Sequence, residues 1–198
     1  MPHFSTVLIG NESLVIQCAD ILRDCGHRIE AVVTRNGEVA KWAAGAGLRV
    51  EAPGKDLGAR LAGLEFDWLL SIANLDIIPG DVLAMPAKGA VNFHDGPLPA
   101  YAGLNAPVWA LAAGEETHGI TWHMIEGGID EGDILVQRHF DIAPTDTALT
   151  LNTRCYEAAI ESFPDLVGML ASGAPDRKKQ DLSQRCYFGL SHRPAAAA

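Results

Sequence analysis

Phe4-Ser5-Thr6-Val7-Leu8-Ile9-Gly10-Asn11-Glu12-Ser13-Leu14-Val15-Ile16-Gln17-Cys18-Ala19-Asp20-Ile21-Leu22 decides the fold class. Phe4 to Ile9 is a short apolar run that stops at Gly10. From Ser13 the apolar residues Leu14, Ile16, Ala19, Ile21 and Leu22 recur along one helical face. The stretch therefore reads as a strand, a turn and an amphipathic helix closed by Gly26. Working outward, Ile29 to Val33 supplies a second strand, Val39 to Ala46 a second helix that stops at Gly47, and Leu48 to Glu51 a third strand. A helical stretch near Asp56 to Leu64 and a strand over Asp67 to Ile72 continue the alternation. Strands alternating with helices predict an α/β fold: a mostly parallel twisted sheet flanked by crossover helices.

The first turn, Gly10-Asn11-Glu12-Ser13, does not match G-x-G-x-x-G and lacks the lysine of a P-loop, so a nucleotide cofactor is not supported. Glu12 disfavours a phosphate at this turn, and Ser13 is placed to cap the helix.

With 198 residues and 48% hydrophobic content, the chain is long enough for one sizeable core, with residues 1–172 as the main domain and 173–198 as an extension or the start of a linker. Fifteen Lys and Arg against 25 Asp and Glu give a net charge of -10, which argues against a nucleic-acid partner. Arg177-Lys178-Lys179 is the lone basic tract and reads as a solvated loop or helix end. Cys18, Cys25, Cys155 and Cys186 have neither C-x-x-C spacing nor a paired histidine, so no metal site is indicated and reduced thiols are expected. With no signal peptide pattern and no membrane-length apolar run, the expected location is the cytoplasm, away from membranes. Arg193 to Ala198 is low in complexity.

The chemistry concentrates in Val91-Asn92-Phe93-His94-Asp95-Gly96-Pro97-Leu98-Pro99-Ala100-Tyr101-Ala102-Gly103. An apolar lead-in, polar groups on alternate residues and a run rich in Gly and Pro read as a buried strand ending in a shaped loop. Side chains on a strand repeat every two residues, so Asn92 and His94 share one face. A carboxamide can donate to a developing oxyanion, and an imidazole can donate or move a proton near neutral pH. Asp130, within Glu126-Gly127-Gly128-Ile129-Asp130-Glu131-Gly132-Asp133, would orient the imidazole or accept protons. Taken alone, Asn-x-His is also what a satisfied polar strand end looks like.

Just before this strand, Ala73-Asn74-Leu75-Asp76-Ile77-Ile78-Pro79 is an apolar loop with two readings: core packing, or a wall for a flat apolar ligand. Pro107 to Ala113 reads as a helix stopped by Gly114. Thr117 to Ile125 reads as a strand with Thr121 and His123 on one face and Ile120, Trp122 and Met124 on the other. His123 either supports the pocket or only satisfies local partners. Ile134 to Phe140 is its antiparallel neighbour across the Asp130 loop, and Thr145 to Leu170 is a long helix that Pro164 should bend or break. After Gly173 the chain is polar and hard to place.

Asn92-Phe93-His94, the loop Pro97-Leu98-Pro99-x-Tyr101-x-Gly103 and Asp130 resemble the Asn, His, Asp set of the folate-dependent formyltransferases. The resemblance runs from the first strand to about Gln137 and includes Ile77-Ile78-Pro79 and His118-Gly119-Ile120-Thr121. More narrowly, Glu12-Ser13-Leu14, His94-Asp95-Gly96-Pro97-Leu98-Pro99 and Thr121-Trp122-His123 look like the N-terminal formylation domains of nonribosomal peptide synthetases. The resemblance implies a Rossmann-like formyltransferase fold, 10-formyltetrahydrofolate as formyl donor, no metal, and transfer to the amine of an aminoacyl group tethered to a carrier protein. Adenylation and peptidyl carrier domains are the implied partners.

Carried over by residue, the resemblance makes Asn92, His94 and Asp130 catalytic. Leu75, Ile77, Ile78, Gly127, Gly128 and Ile129 would hold the folate, and Gly96, Leu98, Tyr101, Gly103 and His123 would line the acceptor side. Gly96 stands where many relatives have Ser, and Ala102 where sugar- or tRNA-acting members have Arg. The missing Arg weakens a phosphorylated or acidic acceptor. Methionyl-tRNA and glycinamide ribonucleotide acceptors are disfavoured, the first by the charge and the lack of room for a second domain, the second by the first turn. The alternatives are a free sugar-nucleotide or small-metabolite amine, and an inactive formyltransferase-like docking module.

Overall fold

The computed structural model describes residues 2–192; the low-complexity end from Arg193 lies outside the described residues. The elements run β1 (Ser5–Ile9), α1 (Ser13–Asp24), β2 (Arg28–Val33), α2 (Gly37–Gly45), β3 (Val50–Glu51), α3 (Leu57–Leu61), β4 (Trp68–Ser71), α4 (Gly80–Leu83) and β5 (Gly89–His94). They continue with β6 (Ala102–Gly103), α5 (Ala106–Ala113), β7 (Thr117–Met124), β8 (Ile134–Asp141), α6 (Ala148–Ala171), a 3-10 turn at Leu182–Gln184 and β9 (Tyr187–Phe188). The fold is the expected one, a mostly parallel sheet flanked by helices, with strand order β3-β2-β1-β4-β5-β7-β8. The chain divides into two compact units, Met1–Asn92 with Phe163–Pro175, and Phe93–Ser162 with Asp176–Ala198.

In the first unit β1 pairs in parallel with β2 and β4, and β4 with β5. These strands are apolar at successive residues because both faces are covered: Val7, Leu8, Ile9, Val32, Val33, Leu69 and Leu70 are all buried. Strand order reverses between β1 and β4, the place where open α/β sheets bind ligands beyond their strand ends. Gly10 sits there because a Cβ would lie 2.0 Å from the Ile72 carbonyl oxygen. Its role is close approach of backbone to backbone. Ser13 does not cap α1: the N-cap is Glu12, without a side-chain hydrogen bond. Asn11 takes the side-chain role at this turn, its Oδ1 accepting from the Arg35 backbone N–H at 2.8 Å.

In the second unit β7 and β8 form an antiparallel hairpin, with an irregularity at Trp122/His123. The tail from Asp176 acquires a place here: Lys178 bridges to Ile134, and β9 pairs in parallel with β6.

α6 runs as one helix of 24 residues through Pro164, so of the expected bend or break there is no break. A proline inside a helix costs about 3 kcal/mol. Phe163, Leu166, Val167 and Leu170, flanking it, are all nearly inaccessible. At about 1.5–3 kcal/mol for each fully buried large apolar side chain, their burial outweighs the proline. Among the described residues no helix is long and apolar enough to cross a membrane.

Candidate active site

β5 carries Asn92 and His94 on alternate residues, and the chain leaves the strand at Asp95 into a tight loop. Within the second unit, His94 is 4% exposed and fixed by its ring: Nε2 lies 2.8 Å from the Tyr101 carbonyl oxygen, which can only accept, so Nε2 carries the proton. That leaves Nδ1 facing Asp130 Oδ2 at 3.7 Å and Asp95 Oδ1 at 3.8 Å, both too long for a hydrogen bond. Tyr101 presents its carbonyl from a left-handed backbone, φ 58°.

Asp130 lies on the loop between β7 and β8, with its side chain 9% exposed. Its Oδ2 accepts from the Gly103 N–H at 2.7 Å, and its Oδ1 is 3.4 Å from His123 Nε2. Burial by itself pushes the Asp130 pKa up. The hydrogen bond with His123, the charges of His94 and His123 and the Gly103 N–H outweigh burial and hold it at about 2. A carboxylate is thus maintained between two histidines in a largely dry setting. His123 is itself buried, with Nδ1 2.8 Å from the Met124 carbonyl oxygen. His123 thus has a local partner in the Met124 carbonyl and a second one in Asp130.

The loop after His94 is held by groups that sequence reasoning did not single out for the site. The Thr121 hydroxyl donates to the Gly96 carbonyl at 2.8 Å and accepts from the Leu98 N–H at 3.1 Å. Gln137 Nε2 donates to the Leu98 carbonyl at 2.8 Å, and His118 Nε2 lies 2.8 Å from the Asp95 carbonyl. Thr121 shares the two-residue period of His123, and His118 lies with it in the stretch that carries the family resemblance; Gln137 shows no local signal. Leu98 is buried with Ala102 and Ile134, so its side chain packs rather than facing a ligand. Gly96 is buried against His94: a Cβ there would stand 2.8 Å from His94 Nε2 and 3.0 Å from the Ala106 Cβ. The absent side chain makes room for the imidazole.

The residues expected to hold a folate divide between the units. In the first, Leu75 and Ile77 are 83% and 79% exposed while Ile78 is half-buried, which removes core packing as the reading of Leu75 and Ile77. Ile77, Ile78, Ile9, Asn74, Arg35 and Lys55 help line a cleft of about 260 Å³. In the second, Gly127 has φ 71° and Ile129 is 48% exposed, with the Gly128 N–H donating to Glu131 at 3.1 Å. Among the described residues no group of His, Cys, Asp or Glu is arranged to hold a metal ion.

A family model described as formyl transferase matches residues 31–167. The chain belongs to the formyl transferase family. A methionyl-tRNA formyltransferase of Anaeromyxobacter dehalogenans (strain 2CP-C) is 31% identical over 192 residues, 89% of this chain and 62% of its own. The formyl transferase chain thus spans less than two thirds of that relative. Among solved structures, WlaRD, a sugar 3N-formyl transferase crystallised with dTDP and 5-N-formyl-THF, superposes with TM-score 0.82 at 20% identity, over 94% of this chain and 69% of that one. Glycinamide ribonucleotide transformylase 1 from Symbiobacterium toebii gives 0.78 at 23%, over 91% and 95%. These likenesses at low identity concern the formyl transferase fold.

Proposed function

We propose that the chain is an N-formyltransferase that uses 10-formyltetrahydrofolate and formylates the amine of an aminoacyl group, carried by a peptidyl carrier domain in nonribosomal peptide synthesis. The observation that carries this reading is the ionised Asp130 facing His94 and His123 in a chain of the formyl transferase family.

The donor supplies the formyl group. In the first unit the exposed side chains of Leu75 and Ile77 offer an apolar face for it, and in the second the loop with exposed Ile129 is the counterpart that the family resemblance names. Attack of a neutral amine on a formyl carbon develops O⁻ on one side and N–H⁺ on the other, so the site needs donors and a proton path together. Asn92 provides carboxamide N–H groups for the oxygen. His94 provides Nδ1, because Nε2 is already committed to Tyr101. A carboxyl held at about 2 is a weak base, so Asp130 acts through its fixed negative charge across from both imidazoles. His94 Nδ1 would take the proton from the attacking nitrogen and return it to the donor nitrogen, so that the formyl carbon gains its bond to the acceptor as it loses the one to the donor and tetrahydrofolate leaves.

The aminoacyl acceptor is supported by the relative whose name gives methionyl-tRNA, an aminoacyl ester, as substrate. The net charge of -10 and Ala102 in place of an Arg favour an acceptor without a nucleic-acid or phosphate handle. The sugar amine of WlaRD is the second reading. Incubation with 10-formyltetrahydrofolate and a panel of carrier-bound aminoacyl thioesters, free amino acids and amino sugars separates these. Formyl product on the carrier-bound amine is expected, and His94→Ala should lower it by about 10²- to 10⁴-fold. A protein that formylates none of the amines would defeat the proposal, and preference for the sugar would favour the rival.

A further inference from the structure

We propose that residues 176–192 are part of the frame of the active site, and that Gln180 is the positioning residue for Asp130. The inference rests on the proposed reading in that Asp130 must matter to the reaction, but the contacts that carry it are independent of the acceptor.

Asp130 has φ 57°, a left-handed backbone that costs a non-glycine residue on the order of 1 kcal/mol and persists where its surroundings enforce it. The enforcement comes from the tail. Gln180 Nε2 donates to the carbonyl of Asp130 at 2.9 Å and to that of Gly132 at 2.7 Å, spanning the turn from one side. Arg185 donates to the Ile129 carbonyl at 2.9 Å and approaches the Glu131 carboxylate at 3.6 Å. Lys178 exchanges backbone hydrogen bonds with Ile134 at 2.8 and 2.9 Å just beyond the turn. Gly132 closes the turn so tightly that a Cβ would lie 1.8 Å from the Met124 carbonyl oxygen. Each carbonyl the turn leaves outside a ladder at Ile129, Asp130 and Gly132 is thus taken by a side chain of the tail.

The same tail sets the other partner of the carboxylate. The Ala102 N–H donates to the Cys186 carbonyl at 2.9 Å and the Leu104 N–H to the Phe188 carbonyl at 2.7 Å. In an extended strand successive N–H groups point to opposite sides, so these two bonds turn the intervening Gly103 N–H away from β9. It is this N–H that Asp130 Oδ2 accepts. One segment therefore holds the backbone of Asp130 from behind and aims the donor that meets its carboxylate from in front.

Gln180→Leu keeps the approximate volume and removes both donors. With 10-formyltetrahydrofolate and the carrier-bound acceptor, the variant should lose about 10- to 100-fold in kcat, the usual range for a residue that orients a functional group, with KM for the donor changed less than about threefold. The second measurement is the titration of the Asp130 carboxyl by ¹³C NMR, which needs no turnover. Its midpoint should rise from about 2 as the carboxylate drifts from its partners while staying buried. Gln180→Asn, which retains a shorter amide, should fall between the parent and Gln180→Leu in both readouts. An unmoved Asp130 midpoint with parental kcat in a folded Gln180→Leu overturns the proposal. So does loss of the fold in both variants, since that makes Gln180 a structural residue only. Absence of formyl transfer by the parent defeats the enzymatic reading instead, and the titration still reports on the positioning.

Discussion

Replacing Asp130 by Asn should remove about 2 kcal/mol of folding stability at pH 5 and very little at pH 2. The carboxyl is held at about 2, against 3.8 for a free aspartate, and a separation of that size corresponds to about 2 kcal/mol. Because the side chain is only 9% exposed, solvent screening takes little from this figure. A group whose folded pKa lies below its unfolded one binds fewer protons when folded. Its contribution is complete above 3.8 and is lost as the pH falls through about 2. Asn has the same shape and its carbonyl oxygen can still accept from the Gly103 N–H, so the difference isolates the charge. The assay is urea unfolding of the parent and Asp130→Asn from pH 6 to pH 2, with equal m-values as the control that both denature alike. An offset near 2 kcal/mol that closes as the pH approaches 2 is expected. An offset of the same size at both ends, or none at pH 5, would refute the account of Asp130 as a carboxylate stabilised by its neighbours.

Gly96→Ala places a methyl 2.8 Å from His94 Nε2, a ring already tied to Tyr101. It should reduce kcat by roughly tenfold or more through displacement of the imidazole, about 1.4 kcal/mol in the barrier, and rates equal to the parent would show that the ring yields freely. The double change Leu75→Ser and Ile77→Ser removes side chains that are 83% and 79% exposed, so the melting temperature should stay within about 2 °C while KM for the formyl donor rises several-fold. A lower melting temperature with an unchanged KM would reinstate a packing role for both. Pro164→Ala restores a backbone donor inside a helix that is already formed. It should stabilise the fold by about 2–2.6 kcal/mol, the helix gain of about 3 kcal/mol less about 0.4–1 kcal/mol for the greater entropy of the unfolded chain, as read from denaturant midpoints; destabilisation would mean that the proline geometry is required there.

The alternation of strands and helices is legible because it rests on local periodicity. An amphipathic helix such as Ser13–Asp24 and a buried strand such as Ser5–Ile9 each write their pattern within a few residues. The sharing of a face by Asn92 and His94 follows from strand geometry in the same way. The pairing of β6 with β9 is not legible: two-residue strands have no period, and their partners lie far apart in the chain. At Pro164 the local rule allowed a bend or a break, and burial of Phe163, Leu166 and Val167 decides against the break. Gly96 stands out in the sequence as a missing side chain, but the neighbour that requires the gap, His94, is known only from where its ring points.

By itself the sequence determined a parallel α/β chain and placed Asn92, His94 and Asp130 on strand ends and loops, since propensity and periodicity act over short distances. Tertiary structure decided which His94 nitrogen is committed, that His123 shares the Asp130 carboxylate, and that Gln180 and Arg185 fasten the turn which carries it. These depend on directions of hydrogen bonds across long sequence separations. Such directions exist only once the backbone has closed and buried polar groups must find partners.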